Sequence, residues 1–379
     1  MSPLTVGTAL SQSGMYALQG RQALQGLSLW VEETNQQGGL FVPELQHPVS
    51  LRLLACDDRS RRAEVESLVE QLITQEHVDF LIGPYGSGLA WAGARIAEAH
   101  GKLLWNHGGS SDAILGQGFR WVVTLPTPAS RYFAGVFPCL SAFTSPGDCV
   151  AIIQRPQGTF AAAVALGARQ EAEAHGFKTL PPFFYPDAPE RFPSLAQDVA
   201  AVKPAIMLGV GRYRDDVNLV RALAEAGLEV GALVLVATPM HAFREDLGTL
   251  AQGCIGPSQW EPHAQGTPDV GPTSTEFVER FRGRFGETPD YPAAQAYAAG
   301  LVLQQCVGLA GTCSDAALRE AAYQLDCRTF YGRFRMDSTA GVQQGHEMVL
   351  VQWQAGTKRL IWPTAIADAA PLFPKTSAR

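Results

Sequence analysis

Along the first third of the chain, apolar positions switch repeatedly between a strand-like and a helix-like period. Residues 4–10 form a short apolar run, and 20–35 carries Ala23, Leu27, Trp30 and Val31 at helical spacing. Residues 49–55 again read as strand. The stretch 60–75 reads as helix, with Ser60 at the N-cap and Val65, Leu68, Val69 and Leu72 in one stripe. A short buried strand at 78–82, a helix at 89–100 and a strand at 102–106 complete the series. Strict strand–helix alternation of this length predicts a parallel sheet with right-handed crossovers.

A second series of similar plan follows the Pro-marked segment 124–128. It predicts strands at 149–154, 178–185, 205–209 and 232–237, separated by helices at 159–175, 191–202 and 215–226 and followed by a short helix. A Gly- and Pro-rich loop is expected over 253–272, then helices over 273–285, 293–309 and 315–325. The end changes character: 330–335, 347–354 and 359–362 read as antiparallel strands, with a turn at Gly356-Thr357. Helices without strands of their own suit a sheet already built by the first series, so the chain is expected to cross between two lobes near 124–128, 253–260 and 327–331.

Composition narrows the classes. A chain of 379 residues exceeds one ordinary core and fits two domains; 46% hydrophobic and 17% charged residues are globular values. A net charge of -7 argues against nucleic acid as a partner, and the arginines are scattered singly. No run approaches the ~20 apolar residues of a membrane span. Met1-Ser2-Pro3 leads directly into a strand-like run with no charged and apolar leader in view, so either a leader has been removed or the protein is cytoplasmic. The seven cysteines form no CxxC and no zinc-ligand spacing, which predicts buried thiols; Cys306 with Cys313 and Cys139 with Cys149 are the pairs left open as disulfides.

Two polar, Gly-rich loops stand where open α/β sheets bind ligands, at the carboxyl ends of strands. Gly83-Pro84-Tyr85-Gly86-Ser87-Gly88 precedes one helix, and its serine reads either as an oxyanion donor or as a cap. Asn106-His107-Gly108-Gly109-Ser110-Ser111-Asp112 follows the next strand. Together the two loops form a candidate anion pocket. Catalytic readings fare badly. The first loop is not a G-x-S-x-G elbow. His107-Gly108-Gly109 has no serine, histidine and acid in a triad order behind it, which leaves a hydrolase using His107 as an outside alternative. Gly209-Val210-Gly211-Arg212-Tyr213-Arg214 lacks the last glycine of a dinucleotide loop. Paired acids at Asp57-Asp58 and Asp215-Asp216 read as solvated or capping groups, and Trp105 as core.

The segment Leu10-Ser11-Gln12-Ser13-Gly14 ahead of Val31-Glu32-Glu33-Thr34-Asn35-Gln36-Gln37-Gly38-Gly39 resembles solute-binding proteins of ABC transporters, of the leucine/isoleucine/valine-binding type. So do Cys56-Asp57-Asp58-Arg59-Ser60, Asp79-Phe80-Leu81-Ile82-Gly83-Pro84 and Tyr291-Pro292-Ala293-Ala294-Gln295-Ala296-Tyr297, in order along nearly the whole chain. The resemblance implies an α/β, type I periplasmic-binding-protein fold: two Rossmann-like lobes with parallel sheets, joined by three hinge crossovers. Lobe 1 is expected at 1–124 plus 255–329 and lobe 2 at 125–254 plus 330–379. It further implies no enzyme activity, no cofactor or metal, a membrane permease as partner and a periplasmic or cell-surface location, with a cytoplasmic amide sensor on the same fold as the alternative. By position, Ser87, Gly108, Gly109 and Ser110 match the carboxylate-holding loops, with Tyr85 beside them. Tyr213 matches a tyrosine that closes on the ligand, Gln19 lines the side-chain pocket, and Phe160 or Thr159 matches a second-lobe contact; Met240 and Tyr85 are expected as apolar contacts that choose the ligand side chain. One departure matters: amino-acid binders carry an ammonium-pairing glutamate after the strand at 232–237, where this chain has Thr238-Pro239-Met240-His241. An amino acid therefore requires another acid such as Asp215, and an amide or an organic or aromatic acid stands beside it as the expected solute.

Overall fold

The computed structural model describes residues 2–264, 266–337 and 341–375. In chain order the first elements are β1 (Leu4–Ala9), α1 (Ala17–Gln36), a small hairpin of β2 (Leu40–Val42) and β3 (His47–Val49), β4 (Leu51–Cys56) and α2 (Arg62–Thr74). They are followed by β5 (Phe80–Ile82), α3 (Ser87–His100), β6 (Leu104–Asn106), α4 (Asp112–Leu115) and β7 (Val122–Thr124). Next come α5 (Val136–Leu140), β8 (Cys149–Gln154), α6 (Thr159–Ala174), β9 (Lys178–Thr179), β10 (Phe183–Phe184), α7 (Phe192–Ala201), β11 (Ile206–Val210), α8 (Tyr213–Glu225), β12 (Ala232–Leu235), α9 (His241–Leu247) and β13 (Ile255–Ser258). The last are α10 (Ser274–Phe285), α11 (Tyr291–Ala310), α12 (Asp315–Gln324), β14 (Asp326–Thr329), β15 (Gly332–Arg335), β16 (Val349–Gln354) and β17 (Thr357–Trp362).

Two compact units emerge: Met1–Pro128 with Gln265–Glu347, and Ala129–Ala264 with Met348–Arg379. The first holds a parallel sheet in the order β4-β1-β5-β6-β7. Its helices α1 and α11 pack so closely that a Cβ on Gly26 would lie 2.1 Å from the Ala293 carbonyl oxygen, and one on Gly300 would lie 2.1 Å from the Trp30 ring. On α11 nearly every residue from Pro292 to Val307 is buried, which explains why its sequence is apolar on all sides. The second unit repeats the plan in the order β10-β8-β11-β12-β13, then adds β16 and β17 antiparallel to close the edge. Its core runs from Phe133 and Phe137 through Val164 and Leu208 to Ile361.

Several expectations are corrected. The segment 255–264 belongs to the second unit, because β13 continues that sheet next to β12, and 330–347 belongs to the first, because β15 pairs with β14. The chain thus passes between units at 128/129, 264/265 and 347/348. Pro181-Pro182 splits the expected strand 178–185 into β9 and β10, since proline cannot donate to a ladder. Ser60 does not cap α2: Arg61 holds that place, while Ser60, at φ +59°, accepts from the Tyr16 amide (3.0 Å) and donates to the Ser13 carbonyl (2.8 Å). The cysteines are all free thiols, and burial pushes Cys139, Cys254 and Cys327 above the usual thiol range.

Candidate functional site

Strand order locates the site before any side chain is considered. In the first unit β1 and β5 lie side by side while their connections leave to opposite sides, a switch point whose carboxyl end opens a crevice. In the second unit β8 and β11 make the same arrangement.

At the first switch point the two Gly-rich loops are locked into one construction. Tyr85 and Gly108 form a parallel bridge, and the Gly86 amide donates to the Gly108 carbonyl at 3.0 Å. The Ser87 hydroxyl accepts from the amides of Ser110 (3.2 Å) and Ser111 (3.0 Å). Asn106 clamps the same loop, donating to the Gly109 carbonyl (2.6 Å) and accepting from the Gly109 amide (2.8 Å). Side chains are excluded at both glycines: a Cβ on Gly108 would lie 2.6 Å from the Tyr85 Cα, and one on Gly109 would lie 2.3 Å from the Ala90 Cβ. Ser87 is therefore not a cap in the usual sense. It opens α3 after Gly86 (φ +95°), its oxygen organises the neighbouring loop, and its proton is the group left to donate. The first turn of α3 adds amides with no intrahelical acceptor.

Two tyrosines join this construction that sequence reasoning left out. The Tyr85 and Tyr291 hydroxyls lie 2.6 Å apart, and the Tyr16 ring meets Tyr85 edge-on at 6.0 Å and covers Gly86. Tyr16 follows β1 and Tyr291 opens α11, so only the fold brings them beside Tyr85. Gln19 is buried near the start of α1. Trp105 and His107 are wholly buried; burial pushes the His107 imidazole down to about 4, against the weaker opposing effect of a hydrogen bond with the Gly83 backbone. An imidazole with so low a pKa is a weak proton acceptor.

At the second switch point Arg155, just past β8, reaches Asp187 (2.5 Å) and Asp215 (3.7 Å). Asp215 also accepts from the Arg212 amide (2.9 Å) and so caps α8; burial raises it above the usual carboxylate range. Asp216 is fully buried, accepts from the Tyr185 hydroxyl (2.7 Å) and the Ala237 amide (3.0 Å), and is pushed up to about 8 by that burial. Tyr213 opens α8 and donates to Asp246 at 2.8 Å. Phe160, early in α6 after Thr159, meets Tyr132 edge-on at 5.2 Å, and Tyr132 accepts from Gln259 at 2.9 Å. Met240 precedes α9 and is 1% exposed. A hollow of about 140 Å³ beside Val220, Leu223 and Leu233 lies near the start of β12, far along the strand from these groups.

A family model described as periplasmic binding protein matches residues 3–358. The chain belongs to the periplasmic binding proteins. A Leu/Ile/Val-binding protein homolog of Brucella abortus is 24% identical over 98% of this chain and 94% of its own length. Among solved structures, a leucine-binding protein of Thermotoga maritima superposes with a TM-score of 0.81 at 17% identity, covering 94% of this chain and 97% of the other. A solute-binding protein of an ABC transporter from R. palustris in complex with benzoate superposes with a TM-score of 0.80 at 21% identity, covering 97% and 99%. The type I fold of two lobes with parallel sheets is thus shared by this periplasmic binding protein, and its neighbours bind branched-chain amino acids or aromatic acids. Among the described residues no group of three or more His, Cys, Asp or Glu side chains could hold a metal ion.

Proposed function

We propose that this periplasmic binding protein is the capture component of an ABC importer, taking up one small carboxylate-bearing solute by hinge closure and presenting it to a membrane permease without chemical change. The observation that carries the reading is the interlocked pair of loops at the first switch point. Ser87, Gly108, Gly109 and Ser110 are held in one rigid construction at the start of α3, whose dipole and free amides favour a carboxylate. Rigid donors of this kind bind an anion without an ordering cost at the moment of capture.

The other residues supply walls rather than chemistry. Tyr85, Tyr16 and Tyr291 present half-buried ring surface next to those donors. Tyr213 and Phe160 are the second-unit residues we assign to the ligand, and Gln19 to the pocket side of α1. The sequence of these loops has neither a nucleophile elbow nor a triad order, which supports binding without turnover. Native mass spectrometry of the purified protein, followed by a thermal-shift screen over amino acids, amides and aliphatic and aromatic acids, tests this. A stoichiometric ligand recovered unchanged is expected; conversion of the bound compound, or no ligand-induced shift across all classes, rejects it.

A further inference from the structure

The geometry points to a second ligand site, inside the second unit and apart from the capture loops, that takes a small monocarboxylic acid with an apolar tail. Its body is the hollow of about 140 Å³ near the amino end of β12. Val220 and Leu223 of α8, Leu228 just after that helix, Leu233 of β12 and Leu250 give it aliphatic walls. Val220, Leu223 and Leu233 are fixed core residues, while Ala224 also lines the hollow and is exposed, which puts an opening to water beside it. A dry aliphatic cavity of about this size accepts a benzene-sized molecule, roughly six carbons. Among the described residues the one polar side chain in the lining is Lys375.

Lys375 is held in place by its backbone. Its amide donates to the Gly231 carbonyl at 2.7 Å, and the residue forms an antiparallel bridge with Val230. A Cβ on Gly253 would lie 3.1 Å from the Lys375 Cγ, so the aliphatic stem rests on backbone that only glycine leaves bare. The ammonium at its tip has one acceptor among the described residues, the Leu250 carbonyl at 3.4 Å. Two of its three donor positions are therefore left for a ligand. The other half-buried lysines are neutralised within the chain: Lys102 lies 3.0 Å from Asp315, and Lys358 lies 3.0 Å from Glu261. Lys375 has no carboxylate of its own, and it stands at an apolar hollow. A carboxylate meets that charge while its tail covers the aliphatic walls. An amine with the same tail meets like charge, and an alcohol gains the tail contact without the ion pair.

The test is methyl-labelled NMR of the full chain, following the signals of Val220, Leu223, Leu228 and Leu233 during titration with hexanoate, 1-hexanol and hexylamine, which share one tail. These reporters line the hollow, and the capture loops of the first unit lie outside them. Hexanoate is expected to give saturable shifts with an affinity about tenfold above that of 1-hexanol, and hexylamine to give none over the same range. Lys375→Met is expected to lower hexanoate to the level of 1-hexanol. Ala224→Leu, which fills the hollow from an exposed helix position, is expected to remove the shifts. Hexanoate shifts that do not saturate, equal affinity for the three probes, or full binding in Ala224→Leu would overturn the site. Hexanoate affinity unchanged in Lys375→Met would overturn the pairing with the ammonium, and the site's preference for an acid with it. The probe comparison uses the unaltered protein, so it decides the matter even where Lys375→Met fails to fold.

Discussion

Ser87 shows how one hydroxyl serves two purposes. Its oxygen accepts from two amides of the adjoining loop, and its proton remains to donate; in the proposed function that donor meets a ligand oxygen. Ser87→Ala combined with Ser110→Ala is therefore expected to abolish ligand-induced thermal stabilisation; a full shift retained by the double variant would place the pocket elsewhere. His107 makes a different residue-scale prediction. Its folded value of about 4 lies below the ordinary 6.5, so between those values the unfolded chain binds more protons than the native one. Stability contributed this way is complete above pH ~6.5 and falls by ~3 kcal/mol as the pH drops through about 4. Urea unfolding at pH 7.5 and 4.5 should show a smaller acid loss in His107→Leu than in the unaltered protein. Equal losses would refute the burial argument.

Among elements, α1 and α11 pack closely, and that closeness depends on glycine rather than on large side chains. A Cβ on Gly300 would enter the Trp30 ring at 2.1 Å, and neither helix can move without disturbing a fully buried face. Gly300→Ala is expected to cost about 1–3 kcal/mol in urea unfolding while leaving ligand preference unchanged. A change below ~0.5 kcal/mol would mean that the helices yield. Element boundaries were legible where sequence carries a local stop signal: β8 is found as expected, and Thr273 caps α10 with its hydroxyl on the Glu276 amide. They were not legible where pairing decides. β13 hid inside a Gly- and Pro-rich stretch because its main partner β16 lies far away in sequence, and β14 is recognisable only through β15.

For the whole molecule, binding and stability are linked by mass action. A solute that binds the native state alone at a hundred times its Kd adds ~2.7 kcal/mol, so the melting temperature should climb with ligand concentration and without a ceiling set by any single contact. Family membership rests on 3–358 and so embraces both units. The solute does not follow from it, because the neighbours that share the fold hold isoleucine in one case and benzoate in another.

Periodicity, turn residues and ordered motifs determined the strand–helix alternation, the two-unit plan and the two loops at Ser87 and Gly108–Ser110, because each of these is written in neighbouring residues. Tertiary structure alone decided which distant groups meet: Tyr16 and Tyr291 beside Tyr85, Arg155 against Asp215, and Lys358 on Glu261. The physical reason is that charge pairing and close ring contact depend on separation in space, and chain spacings of up to 206 residues leave no periodic trace. The two Gly-rich loops could be read from the sequence, whereas the partners of the buried acids could not.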